Sequence, residues 1–347
     1  MLKMSKPSVA VAMSGGVDSA VAAYLAIRAG NKVTAIHLKM EAGQPEDPVL
    51  YECCRMLDIP LIEHECSREF FEKVLYASAC EYAAGRTPNP CCQCNKVLKF
   101  AELFKAADKL GIGHVMTGHY VNRFCDDGHY YLSKGADSGK DQSYFLYRLT
   151  GDELARVSFP LGNLHKEEVR RIAAEAGLPC AVRKDSQDAC FQIPGECCGE
   201  TLRRRCQVPV KKGRFIHNGK VVGRHDGIHR YTLGQRQGLN VALGVPAYIR
   251  SISAKDGNIE LTTDQNELMS KEFTVKEVSW VHGCLPQLPL TVKVRYRSPG
   301  VECDIEEVAD GRIVVHPVRE LRAVTPGQAA VFYCEDKLLG GGVIENV

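Results

Sequence analysis

The sequence has no long hydrophobic run. Its longest uninterrupted apolar stretch, Ala20 to Ile27, falls far short of the roughly 20 residues a helix needs to cross a bilayer, so no membrane partner is expected. Net charge is also scarce: at +2, the chain as a whole does not announce a nucleic-acid partner. No apolar segment follows the two lysines of Met1 to Ser8, which argues against a secretory signal and makes the cytoplasm the expected compartment. Internal repeats and low-complexity tracts are missing as well, leaving ordinary folded domains, and 347 residues suffice for two or three. Cysteine, by contrast, is plentiful, with sixteen residues. In a small secreted protein they would suggest a disulfide scaffold. In a reducing compartment they are buried thiols, metal ligands or catalytic groups.

The chain changes texture near Arg205. Before it, β-prone and amphipathic segments alternate. Strands are expected over Ser8–Met13, Lys32–Met40, Ile59–Glu65 and His114–His119, and helices after the glycine turn at 15–16, from Pro48, over Arg68–Ala84, Val97–Leu110 and Lys166–Gly177. Such alternation predicts a doubly wound parallel sheet with helices on both faces. After it, short β-prone runs separated by Gly, Pro, Asn and Asp (Arg214–His217, Tyr248–Ile252, Glu272–Val281, Leu290–Tyr296, Arg312–Val318, Ala329–Tyr333) predict small antiparallel barrels or sandwiches. The expected organisation is therefore an α/β domain over 1–205, with a helical segment near 150–205, then a small central β domain over 206–270 and a C-terminal β-barrel over 271–347.

Ser14-Gly15-Gly16-Val17-Asp18-Ser19 lies between the first strand and the first helix. Glycines there let backbone amides turn towards a phosphate at a helix N-terminus. No Gly-Lys-Ser/Thr follows, so it is not a Walker A loop; SGGxDS has the form of a PP-loop, used to cleave ATP between its α and β phosphates. Gly118 and His119 end a later strand on the same sheet edge, where open α/β sheets bind ligands; a core histidine is the bland reading of His119. Among the cysteines, Cys53 and Cys54 fall on an apolar helix stripe and read as small buried hydrophobes. Cys91, Cys92 and Cys94 follow the proline-held loop 86–90 and precede a helix expected to start near Asn95. A thiol there, beside a lysine, should have a depressed pKa. Cys190 stands in polar company, and Cys197 and Cys198 follow it. Between Arg203 and Arg214 six residues of twelve are basic and none is acidic, which fits either a solvated surface or a phosphate-binding one.

Taken in order, AMSGGVDS (12–19), GRTPNP and CNK (85–96), TGHY (117–120), KDQSYFL (140–146), FPLG (159–162), KDSQDACF (184–191), HDGIHRYTLGQRQGL (225–239), VRYR (294–297) and TPGQ (325–328) resemble the tRNA 2-thiouridylases along most of the chain. The resemblance implies ATP, with Mg²⁺, at Ala12, Met13, Ser14, Gly15, Gly16, Val17, Asp18, Ser19, Leu38 and Gly118. It implies adenylation of a tRNA wobble uridine at O2 and its replacement by sulfur, with Cys94 as nucleophile and Cys190 as persulfide carrier. Asn89, Pro90 and Cys91 would surround the target base, and His119, Lys140, Asp141, Gln142, Arg295, Tyr296 and Gln328 would contact tRNA. Sulfur would come from a cysteine desulfurase or related donor system, or as free sulfide.

The sequence departs from the family pattern in three places. The 41–52 stretch is short, Leu38 replaces the usual methionine near the adenine, and Cys91 replaces the usual Asp three residues before the nucleophile. That last change removes a carboxylate that could act as base and creates a Cys-x-x-Cys pair. With Cys190, Cys91 and Cys94 could ligate a [4Fe–4S] cluster with one open iron, an alternative to a two-cysteine relay. Rival functions are an iron–sulfur tRNA thiolase acting on another uridine or cytidine, a PP-loop synthetase adenylating a small molecule, and a non-catalytic metal-binding RNA module. The synthetase leaves the paired cysteines unexplained; the module leaves the SGGVDS loop unexplained.

Overall fold

The computed structural model describes residues 6–184 and 189–346; Asp185, Ser186, Gln187 and Asp188 of the KDSQDACF motif lie outside the described residues. The chain opens β1 (Ser8–Ala12), α1 (Val17–Arg28), β2 (Lys32–Lys39), α2 (Pro48–Met56), β3 (Leu61–Glu65). Val9, Ala10 and Val11 of β1 are buried, as expected of a central strand covered on both faces. β4 (Val115–Met116) follows, then a hairpin of β5 (Val121–Asp126) and β6 (His129–Lys134), then β7 (Val157–Ser158). The order β3-β2-β1-β4-β7 is parallel throughout, the doubly wound sheet that the alternation predicted. Its strand order reverses at β1, which places a ligand crevice at the carboxyl ends of β1 and β4.

Two long helices pack beside that crevice and each contains a π turn. One, residues 67–83, widens at Phe71–Tyr76; the other, residues 90–109, widens at Asn95–Lys99. The second starts earlier than the sequence suggested. Pro90 takes the first helical position, where a missing N–H costs nothing, and the Asn89 side chain accepts the Cys92 N–H at 3.2 Å. Cys91, Cys92 and Cys94 therefore belong to the first helical turns rather than to the preceding loop.

Beyond the helix Cys198–Cys206, β8 (Gly213–His217), β9 (Lys220–His225), β10 (Tyr248–Ile252) and β11 (Ile259–Thr262) form a sheet in the order β10-β11-β8-β9. A two-residue ribbon joins β12 (Met269–Ser270) to a later strand. β13 (Phe273–Trp280), β14 (Leu290–Lys293), β15 (Val301–Glu307) and β16 (Ile313–Pro317) come next, with β17 (Leu321–Arg322) completing the ribbon, then β18 (Ala329–Cys334) and β19 (Lys337–Asn346). Pairing of β13 with β19 closes a six-stranded barrel, β13-β16-β15-β14-β18-β19. The β5–β6 hairpin was not anticipated. Its β6 adds to β19, Ser133 opposite Lys337 and Leu132 opposite Leu338, so the first domain and the barrel share a sheet.

Candidate active site

A cleft of about 550 Å³ opens at the carboxyl ends of β1 and β4. Ala12, Met13, Ser14, Asp18 and Ser19 line one side and Thr117, Gly118 and His119 another, while Ile36, Leu38, Phe70 and Phe100 supply an apolar wall. The glycine loop 14–19 is held from several directions. The Ser14 and Ser19 hydroxyls lie 3.2 Å apart, and Ser19 Oγ donates to the Gly16 carbonyl at 2.9 Å. Gly15 has φ +81°, and a Cβ there would stand 2.3 Å from Asp47 Oδ2. Asp47 is the N-cap of α2 and is gripped at 2.6 Å through both oxygens by Arg183, whose Nη1 also donates to the Gly15 carbonyl at 3.0 Å. Gly15, Gly16 and Val17 thus shape the loop from behind, while the residues flanking them face the cleft. A Cβ on Gly118 would come within 2.7 to 2.9 Å of the Asp18–Ser19 peptide, so only glycine lets β4 approach the loop this closely.

Asp18 faces the cleft already partnered. Lys166 donates to both carboxylate oxygens, at 2.7 and 2.9 Å, and the Tyr120 hydroxyl donates at 2.7 Å. His119 stacks on Phe100, its Nδ1 2.8 Å from Thr117 Oγ1. Burial and the nearby Lys99 push its pKa down to about 3, so it is a neutral ring at physiological pH.

Cys190 lines this same cleft. Cys94 sits behind it, 5% exposed, in a core with Phe70, Leu98 and Phe191. Burial pushes its thiol up to about 12, partly opposed by Lys99; the half-buried Cys91 thiol is also raised by burial and opposed by Lys99, whereas the Cys190 residue is exposed to solvent. The expected low thiol pKa at a helix N-terminus is thus overturned in this state: desolvation outweighs the dipole and the lysine. Among the described residues no three His, Cys, Asp or Glu side chains converge on a point that could hold a metal ion. Cys91, Cys94 and Cys190, placed as they are here, are not brought together as the three-thiolate set a [4Fe–4S] cluster needs.

Three family profiles tile the chain: the tRNA methyl transferase HUP domain over residues 7–194, the tRNA methyl transferase PRC-barrel domain over 202–262 and the aminomethyltransferase β-barrel domain over 270–344. Full-length relatives agree. A protein of Clostridium tetani named tRNA-specific 2-thiouridylase MnmA 1 is 38% identical, with 100% of this chain and 99% of that one covered. Proteins named tRNA-specific 2-thiouridylase MnmA are similar at 38% in Syntrophotalea carbinolica (99% and 100% covered) and at 39% in Chlorobium chlorochromatii (99% of each). The chain belongs to the tRNA-specific 2-thiouridylase family.

The remaining positions for which the resemblance implied RNA contact are mostly engaged within the fold. Arg295 Nη2 donates to the carbonyls of Leu233 and Ala323 and to Thr325 Oγ1. The Tyr296 hydroxyl donates to the Asp141 carbonyl, and the buried Asp141 carboxylate accepts from Gly135 N and Ser143. Gln142 accepts from Tyr120 N and also lines the cleft, while Gln328 donates to the carbonyls of Thr87 and Pro88, bracing the 86–90 loop. Lys140 N donates to the Asp137 carbonyl in the turn that precedes them. Asn89 and Pro88 open instead on a second cavity of about 200 Å³. The basic cluster is neutralised in part: Arg203 pairs with Glu200, Arg204 with Glu196 and Arg205 with Glu41. Sequence reasoning missed Asp47, Lys99, Lys166 and Arg183. Lys99 follows Cys94 by five residues, off any 3.6-residue stripe, and only the π turn between them turns it back towards the thiol.

Proposed function

We propose that this protein is a tRNA 2-thiouridylase that works by adenylation followed by a two-cysteine sulfur relay. One observation carries the proposal: the persulfide candidate Cys190 lines the cleft formed by the PP-loop. ATP binds at 12–19 and Gly118 with its base against Leu38 and Phe100. Mg²⁺ fits this reading because it needs few protein ligands beside phosphates and water; Asp18 and the Ser14 and Ser19 hydroxyls would hold it, and it would supply charge neutralisation of the phosphates.

The wobble uridine O2 attacks the α-phosphate and pyrophosphate leaves. The terminal sulfur of a Cys190 persulfide, loaded by a donor such as a cysteine desulfurase system, then attacks C2. The C2–O bond breaks and AMP leaves with the electron pair. Cys94 thiolate next attacks Cys190 Sγ, and the S–S bond breaks towards the substrate, giving 2-thiouridine and a Cys94–Cys190 disulfide. A thiol reductant resets the pair. The disulfide requires the two Cα atoms to come within about 7 Å during the cycle. Asn89, Pro90 and Cys91, at the start of the helix carrying Cys94, would shape the base site, and Gln328 holds the loop that leads to them.

The test supplies ATP, tRNA and a sulfur donor and follows pyrophosphate and 2-thiouridine together. Cys94→Ser and Cys190→Ser should each abolish thiolation while tRNA-dependent pyrophosphate release continues. Thiolation surviving in Cys190→Ser would refute the relay. Pyrophosphate release that ignores tRNA would point to a small-molecule synthetase.

A further inference from the structure

Lys99 occupies an unusual position. Among the described residues lining the cleft it is the one lysine or arginine, so the phosphate half and the sulfur half share a single fixed cation. Among the described residues no carboxylate, carbonyl or hydroxyl pairs with its ammonium; it shares the cleft with Cys190, and the thiols of Cys94 and Cys91 are its other electrostatic neighbours. The π turn Asn95–Lys99 produces this arrangement, since a regular helix would turn residue 99 well away from residue 94. A partly buried cation without an anionic partner is costly and is retained where an anion forms transiently.

We infer that Lys99 is the cation that holds the transferring sulfur as an anion between Cys190 and Cys94. This rests on the sulfur-relay reading and adds a residue to it. In the resting state burial disfavours the thiolate of Cys94, and among the described residues Lys99 has no carboxylate partner. When a persulfide anion is present on Cys190, the ammonium becomes its partner. As the sulfur bonds to C2 and Cys94 ionises, the same ammonium meets the new thiolate. One fixed charge thereby serves two successive anions a short distance apart, without reorganisation between them.

The experiment compares wild type with Lys99→Met, which keeps the alkyl stem and removes the charge, and with Lys99→Arg, which keeps the charge. Three quantities are read: tRNA-dependent pyrophosphate release, 2-thiouridine formation, and the rate at which iodoacetamide alkylates Cys94 and Cys190 between about pH 6 and pH 10, by peptide mapping. Lys99→Met should lower thiolation about tenfold more than pyrophosphate release, move the alkylation profiles to higher pH by about one unit, and recover part of its thiolation at alkaline pH. Lys99→Arg should lie between it and wild type. Unchanged alkylation profiles, or pyrophosphate release and thiolation falling by the same factor, would overturn the inference. If wild type alkylation depends on Lys99 but wild type forms no 2-thiouridine, the charge role stands and the relay reading fails.

Discussion

Lys166, at the first turn of its helix, holds both carboxylate oxygens of Asp18 in the phosphate loop, 148 residues away in sequence. The lysine is 8% exposed, so removing its charge leaves a carboxylate that has lost its main partner in a partly dry site. Lys166→Gln should cost about 2 kcal/mol in urea unfolding and lower pyrophosphate release about tenfold or more. Full ATP turnover in a folded Lys166→Gln protein would show that the pair is ornamental to catalysis.

Gly118→Ala should damage the same loop from the other side. Its methyl carbon would fall 2.7 Å from the Asp18 carbonyl carbon, a backbone clash no rotamer relieves. The expected result is a loss of about tenfold in pyrophosphate release through a raised KM for ATP. Gly113→Ala, where a Cβ meets nothing within 4 Å, is the matched control and should behave as wild type.

The Asp47–Arg183 pair makes a prediction about acid. Hydrogen bonding to Arg183 holds the Asp47 carboxyl below its ordinary value of 3.8. Its contribution is therefore complete above that value and is lost as pH falls through the lower folded value. Unfolding free energies of wild type and Asp47→Asn should differ by about 1 kcal/mol at neutral pH and converge in strong acid. A gap that widens on acidification would contradict the ion pair.

His119 predicts a second acid effect of separate origin. Its ring stays neutral down to about pH 3, whereas the unfolded chain takes up a proton near the ordinary value of 6.5. The stability it contributes is whole above 6.5 and drains away as pH falls, at up to about 1.4 kcal/mol per pH unit. Imidazole resonances assigned to His119 should show no titration at pH 5, and a midpoint near 6.5 would disprove its burial.

The salt dependence of tRNA binding should also divide the arginines. Arg203, Arg204 and Arg205 each face a carboxylate in the free protein, whereas Arg297 is exposed beyond β14. Replacing Arg297 by Ala should flatten the log–log salt slope by about 0.9 if it meets one phosphate. The triple alanine variant at 203–205 should flatten it by less than about 3, because those charges were partly neutralised beforehand.

Much of the nucleotide half was legible. The PP-loop declares itself through glycines and hydroxyls adjacent in sequence, and the apolar run of β1 marks it as central. The partners of that loop were not legible, because Asp47, Lys166 and Arg183 reach it from distant elements and carry no local pattern. The start of the Cys94 helix was misplaced because Pro90 was counted with the proline-held loop 86–90, although at the first helical position it starts the helix. The β5–β6 hairpin did leave a signal: Asp127-Gly128 at its tip, with φ +47° and +77°, is a tight-turn pair between alternating strands. What it could not disclose was that β6 would find its partner two hundred residues downstream.

That hairpin has a consequence for how the protein melts. Its ladder to β19 is reinforced by Tyr144 donating to the Ala329 carbonyl, and one apolar cluster includes Val115 and Phe100 from the first domain with Val331 and Tyr333 from the barrel. The central sheet is tied to the barrel in turn by Arg295 through the Leu233 carbonyl. Modules separable as sequence are thus joined in one cooperative unit. Heating should give a single calorimetric transition involving the first domain and the barrel together, and a chain cut before residue 270 would expose the apolar faces of Leu132, Tyr144 and Tyr147 to water rather than release a self-sufficient nucleotide-binding domain.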